Sequence, residues 1–311
     1  MRPEERDALL ELLTYVFESN EEIDGLVYLD IQKIFYHLRE RLDDDNSIDD
    51  LLAYYWYIDG TVSDTVQEAV NHGLESGVLS TSPTARTGSG EWYEPTGETH
   101  PSADGFERED IEIAKRELDN VLVEDYDVFG NHDEKIEDIY QDAPYEFQRH
   151  FKFKILFELH RFADGRPMIL GREGLKSQVT TAEAYLPLAP EFEDFNTIFS
   201  RYVNTANRYL DLVSDENRTL ADRFKQLSES IWRLYCQQLR LLEHDPYYET
   251  SLDNWEEKYE RTREFVVNDL IEFRHRLDVE FEEDETVQRV AEDSTWGNIV
   301  SDYLDVPPSE E

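Results

Sequence analysis

The chain of 311 residues carries 72 acidic against 30 basic side chains, a formal net charge of −42 at pH 7, yet 39% of it is hydrophobic, with 16 Phe, 18 Tyr and 5 Trp. That much apolar material excludes wholesale disorder, and the length suits two domains at about 150 residues each. The lone cysteine, Cys236, excludes an intrachain disulfide framework and a cysteine-based zinc site, and no apolar run approaches the ~18 residues of a membrane span.

A charge this far from zero destabilises a compact state through self-repulsion. At 1 M salt the Debye length falls to about 3 Å and most of that repulsion disappears. The composition therefore reads as a cytoplasmic protein built for high KCl, as in salt-in halophilic archaea. The acidic N-terminus, with its short apolar run, does not read as a signal peptide.

Taken in chain order, residues 5–19 place Leu9, Leu12, Leu13 and Val16 at helical spacing. A second stripe follows with Ile31, Ile34, Phe35, Leu38 and Leu42, and a short aromatic helix is expected from Ile48 to Tyr57. Asp59-Gly60 makes a tight turn, and Ser63 is a suitable N-cap for a further helix with Val66, Val70 and Leu74 inward. Gly77-Val78-Leu79 opens a strand, Thr87-Gly88-Ser89-Gly90 reads as a hairpin turn, and Glu91–Pro95 returns.

Helices followed by a two-stranded hairpin predict a winged-helix-like domain over residues 1–98. The run Tyr54-Tyr55-Trp56-Tyr57-Ile58-Asp59-Gly60-Thr61-Val62-Ser63, then the helix ending Gly73-Leu74-Glu75-Ser76-Gly77-Val78-Leu79, resembles winged-helix modules of archaeal regulators. It is also similar to the antitoxin-associated Panacea type. The resemblance covers about residues 20–98 and implies a module that can read DNA through its third helix and wing, here Gln67, Asn71, His72 and Arg86. Against that, Arg86 is the only Lys or Arg between Leu42 and Glu107, and Asp64, Glu68 and Glu75 face outward on the same helix. Carboxylates repel phosphates, so protein docking is the preferred use of this module.

Residues 99–190 read as a linker and connecting helices, with one helix from about Phe106 to Tyr126, a second over 134–140 and a third starting near Pro144. The alternation in 150–160 would also suit a strand; helix is favoured. Gly130-Asn131-His132-Asp133 resembles a metal-binding element of calcineurin-like phosphoesterases, but the companion motifs of that family are missing. An exposed turn is the better reading, and no metal or cofactor is expected. From Arg149 to Lys176 the charge reverses: Arg149, Lys152, Lys154, Arg161, Arg166, Arg172 and Lys176 face only Glu158, Asp164 and Glu173. These cations either pair within the protein or contact nucleic acid, phosphate or an acidic partner.

Three amphipathic helices, about 191–214, 218–243 and 252–281, carry one-sided stripes such as Phe195, Phe199, Tyr202 and Tyr209. Short joints fold them into an antiparallel bundle over 191–305, closed by a last helix at 285–305, with 306–311 a disordered tail. The fold class is thus mainly α. Common catalytic signatures are absent from the sequence. The chain reads as a non-catalytic interaction or regulatory protein with a protein partner or self-association. The alternatives are a DNA-binding regulator or antitoxin-like protein and a metal-dependent hydrolase.

Overall fold

The computed structural model describes residues 1–83, 91–97, 102–103, 105–130, 137, 140–214 and 218–281, which are mainly helical with a small antiparallel sheet. The chain divides into two compact units, Met1–Pro144 with Cys236–Lys258, and Tyr145–Tyr235 with the chain from Tyr259 on. The cut falls at 144, between the boundaries at 98 and 190 expected from sequence.

In the first unit, α1 (Pro3–Ser19) opens with proline at its first helical position, and Glu5 reaches back to the Arg2 backbone N–H at 2.7 Å. Leu9, Leu12, Leu13 and Val16 are all buried, as their spacing demands. A two-residue strand, β1 (Leu26–Val27), leads into α2 (Tyr28–Arg41), whose stripe Ile31, Ile34, Phe35 and Leu38 enters the same core.

Residues 48–57 depart from the helix expected there. They form a 3₁₀ turn (Asp49–Leu51) and then β2 (Tyr55–Tyr57), which pairs antiparallel with β3 (Gly60–Val62). Consecutive aromatic residues favour a pleated, half-buried surface over a helix, and Gly60 takes the positive φ of 103° that closes the hairpin. Next comes α3 (Asp64–Ser76), capped as expected by Ser63, whose Oγ accepts from the Val66 N–H at 3.4 Å. Gly77, at φ 76°, ends it in the left-handed conformation. The hairpin β4 (Leu79–Pro83) and β5 (Glu91–Pro95) follows, and β5 also pairs with β1, giving the sheet order β1-β5-β4.

Part of the expected connecting region belongs to this core. Ile111, Ala114 and Leu118 of α4 (Arg108–Asn120), with Val121 of the π-helical turn Val121–Asp125, are buried among the α1 and α2 residues. The later segment 236–258 returns to the same unit. Trp56 N–H donates to the Glu243 carbonyl at 3.4 Å and Asp245 N–H to the Tyr54 carbonyl at 3.0 Å, extending the β2–β3 hairpin through a Tyr55–His244 bridge. Tyr248 then donates to the Ala53 carbonyl at 3.0 Å, and Tyr248, Trp255, Tyr55 and Ala53 form a second, small core.

The second unit begins with α5 (Glu146–His150), a π-helical stretch (Phe151–Leu156) and α6 (Phe157–Ala163), so 150–160 is helical. Helix α7 (Gly171–Ala184) lies in a stretch to which the periodicity assigns no element. Helices α8 (Glu193–Leu212), α9 (Ala221–Leu242) and α10 (Leu252–Phe281) match the three expected stripes to within a few residues. Their aromatic residues are core: Phe147 meets Phe199 at 5.0 Å and Tyr209 meets Phe224 at 4.4 Å between ring centroids. Such offset and edge contacts add to plain area burial. Cys236, where α9 enters the first unit, is buried and forms no disulfide. The helices expected at 134–140 and 285–305 and the tail at 306–311 lie outside the described residues, apart from Glu137 and Tyr140.

Candidate functional site

The third-helix face of the first unit is acidic. Asp64, Glu68 and Glu75 are exposed on α3, and no Lys or Arg lies on that helix. Gln67 donates to Asn71 Oδ1 at 3.1 Å, so these two side chains engage each other. His72 Nε2 lies 2.9 Å from Asp7 Oδ1 on α1 and is half-buried. Arg86 lies outside the described residues. The structure therefore brings Gln67 and Asn71 together and ties His72 to α1.

The basic segment of the second unit splits into two groups. Arg172 donates to the Val213 carbonyl at 2.6 Å, just past the end of α8, and Lys176 pairs with Asp211 at 2.5 Å. Both neutralise the carbonyl end of that helix, where a positive charge is favoured. Their job is internal. Lys152 lies 5.9 Å from the Trp232 ring centroid. Arg149, Lys154 and Arg166 are exposed, and no ion pair or hydrogen bond joins their side chains to any described residue.

Lys154, Phe157 and Arg161 follow one another at helical spacing. The Arg161 guanidinium lies over the Phe157 ring at 5.8 Å and donates to the Pro167 carbonyl at 3.3 Å. The next turn is held by Glu158, which is 3% exposed and accepts from the Ile169 and Leu170 N–H groups at 2.7 and 3.3 Å. A buried carboxylate on the two amides that lead into α7, the second of them at its N-cap, suits the positive end of that helix. This clamp ties the exposed Ile169 (66%) and Leu170 (41%) to the residue that follows the exposed Phe157 (45%). Exposed cations and large apolar groups thus occur together in two segments, 154–161 and 166–170, that Glu158 and Arg161 join. The charge count pointed to the cations; no local periodicity marks the exposed Ile169 and Leu170.

The first unit also holds a buried polar network along α2. Gln32 clamps Ser63 from both sides, accepting from its N–H at 2.8 Å and donating to its carbonyl at 3.0 Å. Lys33 is fully buried and donates to the Thr61 carbonyl at 2.7 Å and to Thr61 Oγ1 at 3.2 Å. Burial pushes the Lys33 ammonium down to about 7, partly offset by Asp59. Asp30 accepts from the Tyr126 hydroxyl at 2.7 Å, and burial raises that phenol well beyond its ordinary range. Desolvation likewise lowers His37. These groups tie α2 to β3, to the α3 cap and to the π turn. Their role is to place the third helix.

Among the described residues no group of three or more His, Cys, Asp or Glu side chains is arranged to hold a metal ion. Asn131, His132 and Asp133 lie outside the described residues. No described helix is long and apolar enough to cross a membrane. No protein-family model matches the sequence, and no curated protein or solved structure matches it significantly.

Proposed function

We propose that this chain is a non-catalytic interaction protein of a high-salt cytoplasm that docks an acidic protein partner on the face formed by Lys154, Phe157, Arg161, Arg166, Ile169 and Leu170. The observation that carries this reading is that the exposed cations Lys154 and Arg166 lie close in sequence to the exposed Phe157, Ile169 and Leu170, within the one stretch of the chain where positive charge exceeds negative. In molar salt, ion pairs between exposed groups are screened, whereas apolar burial keeps its worth of about 25 cal/mol per Å². Apolar contact then supplies affinity, and the cations select for an acidic surface. Aliphatic side chains contribute little to a phosphate backbone, which favours protein over nucleic acid.

The chain order α1, β1, α2, α3, β4, β5, with β1 beside β5, supports a winged-helix-like reading of the first unit. The same order supports DNA reading as the second hypothesis. The acidic α3 argues against it, because counterion release gains little where no cation meets the phosphates. The helices after Pro190 are read as a bundle that supports the docking face.

Affinity capture from a native lysate in molar KCl tests the proposal, with wild type compared against Phe157→Ser/Ile169→Ser and Lys154→Glu/Arg166→Glu. A specific acidic protein retained by wild type and lost by both variants is the expected result. Retention unaffected by either variant refutes the assignment of this face. Sequence-selective DNA retained by all three proteins moves the assignment to α3 and the hairpin, and light scattering of the pure chain separates self-association.

A further inference from the structure

Arg240 sits in the part of α9 that belongs to the first unit, 6% exposed, with its guanidinium over the rings of Tyr57 and Trp255 at 5.1 and 4.8 Å. Both Nε and Nη2 are shut off from solvent and have no hydrogen-bond partner among the described residues. Leaving a buried cation without a counter-charge is among the more costly arrangements in a protein interior. Rings attract the cation through their π faces, but they accept none of its in-plane N–H bonds. Asp64 acts on Arg240 only through space, its Oδ1 being engaged by the Tyr55 hydroxyl at 2.9 Å.

The two orphaned donors are not an arbitrary pair. Nε and Nη2 form the side-on fork of the guanidinium, whose parallel N–H bonds match two oxygens of one carboxylate or phosphate. Gln237 precedes Arg240 by three residues on α9, and His244 lies two residues past the end of that helix, in the bridge to Tyr55. Gln237 Oε1 and His244 Nδ1 are also buried without partners, and the His244 ring stands edge-on to Trp255 at 6.0 Å. A hydrophobic cage lined by Tyr55, Tyr57 and Trp255 with a few convergent polar atoms is the usual composition of a small-molecule site. Tyr57 is its half-exposed wall and Trp255 its buried one.

We propose that the Arg240 fork, caged by Tyr57 and Trp255, is a binding site for a small oxyanion, a carboxylate or a phosphate group held through two oxygens. The anion enters by displacement of the Tyr57 ring, the wall that faces solvent. Binding at this point ties β2 to α9 and α10, because Tyr57, Arg240 and Trp255 come from those three elements.

Nitrogen-15 spectra of the guanidinium groups test this on the whole chain at constant molar KCl, with acetate and inorganic phosphate added separately. The Arg240 Nε resonance, identified by its loss in Arg240→Lys and independently in Arg240→Met, is expected to shift saturably with at least one of the two. Acetate alone assigns a carboxylate site and phosphate alone a phosphate site. Thermal unfolding supplies the second readout: the effective anion raises the wild-type midpoint, and its apparent affinity falls about tenfold or more in Arg240→Lys, which keeps the charge but loses the fork. No saturable shift with either anion overturns the proposal. So does an equal response to perchlorate at the same ionic strength, or an equal response of the lysine variant.

Discussion

Arg39 on α2 and Asp245, 206 residues further along the chain, form a two-pronged ion pair with Nη1 and Nη2 at 2.7 and 2.9 Å from the two carboxylate oxygens. The same carboxylate accepts from the Tyr54 N–H at 2.5 Å, at the point where the later segment lies beside β2. One side chain thus anchors residues 236–258 within the first unit, satisfying a backbone donor and a guanidinium together. Replacing it with alanine strands both. Asp245→Ala is expected to cost about 1–3 kcal/mol, the range for losing hydrogen bonds to charged groups. A double-mutant cycle with Arg39→Ala, measured by denaturant unfolding in molar KCl, should give a positive coupling energy; strict additivity would show that the pair contributes nothing.

The buried Lys33 makes a pH-dependent prediction. Its folded value, about 7, lies below the unfolded value of about 10.4, so between these limits the unfolded state binds more protons. Stability owed to this group therefore rises as pH increases from 7 towards 10 and is lowest below 7, where both states are charged. Relative to wild type, Lys33→Met should be most favourable at pH 6 and lose that advantage by pH 9. Paired melting curves at the two values check the sign, since all other titrating groups cancel in the difference.

Glu158 holds the amides of Ile169 and Leu170, the residues that lead into α7, and so fixes their orientation. Glu158→Ala should destabilise the second unit by about 1–2 kcal/mol, as loss of a cap does. Amide exchange at Ile169 and Leu170 should accelerate before global unfolding is reached. Partner capture should weaken in parallel, because the apolar half of the proposed docking face loses its support.

Net charge predicts the solvent. With 72 acidic groups repelling one another, the unfolding midpoint should climb steeply between 0.1 and 1 M KCl, where the Debye length falls from about 10 to 3 Å. A midpoint that is flat across that range would show that the acidic coat has some purpose other than tolerance of salt.

Helices α8, α9 and α10 were readable because their apolar residues recur at three- and four-residue intervals, a signal held within any two turns. The α3 cap was readable for the same reason: Ser63 reaches an amide only three residues away. Residues 55–57 were not, since their strand character depends on pairing with β3 and on the bridge to His244. The reversal of charge in 149–176 was visible, but its division was not. Arg172 and Lys176 are occupied by Val213 and Asp211, about forty residues downstream, while Arg149, Lys154 and Arg166 remain exposed. Arg240 did leave one trace, a charge set inside the run Leu239-Arg240-Leu241-Leu242.

By itself the sequence determined a mainly helical chain with substantial apolar stripes and a surface crowded with carboxylates, because periodicity and composition are local or additive quantities. Only the tertiary structure decided that residues 236–258 return to the first unit, which cations are consumed internally, and which buried donors lack an acceptor. Those outcomes depend on which groups meet across some two hundred residues, and a charge or a hydrogen-bond donor carries no mark of its eventual partner.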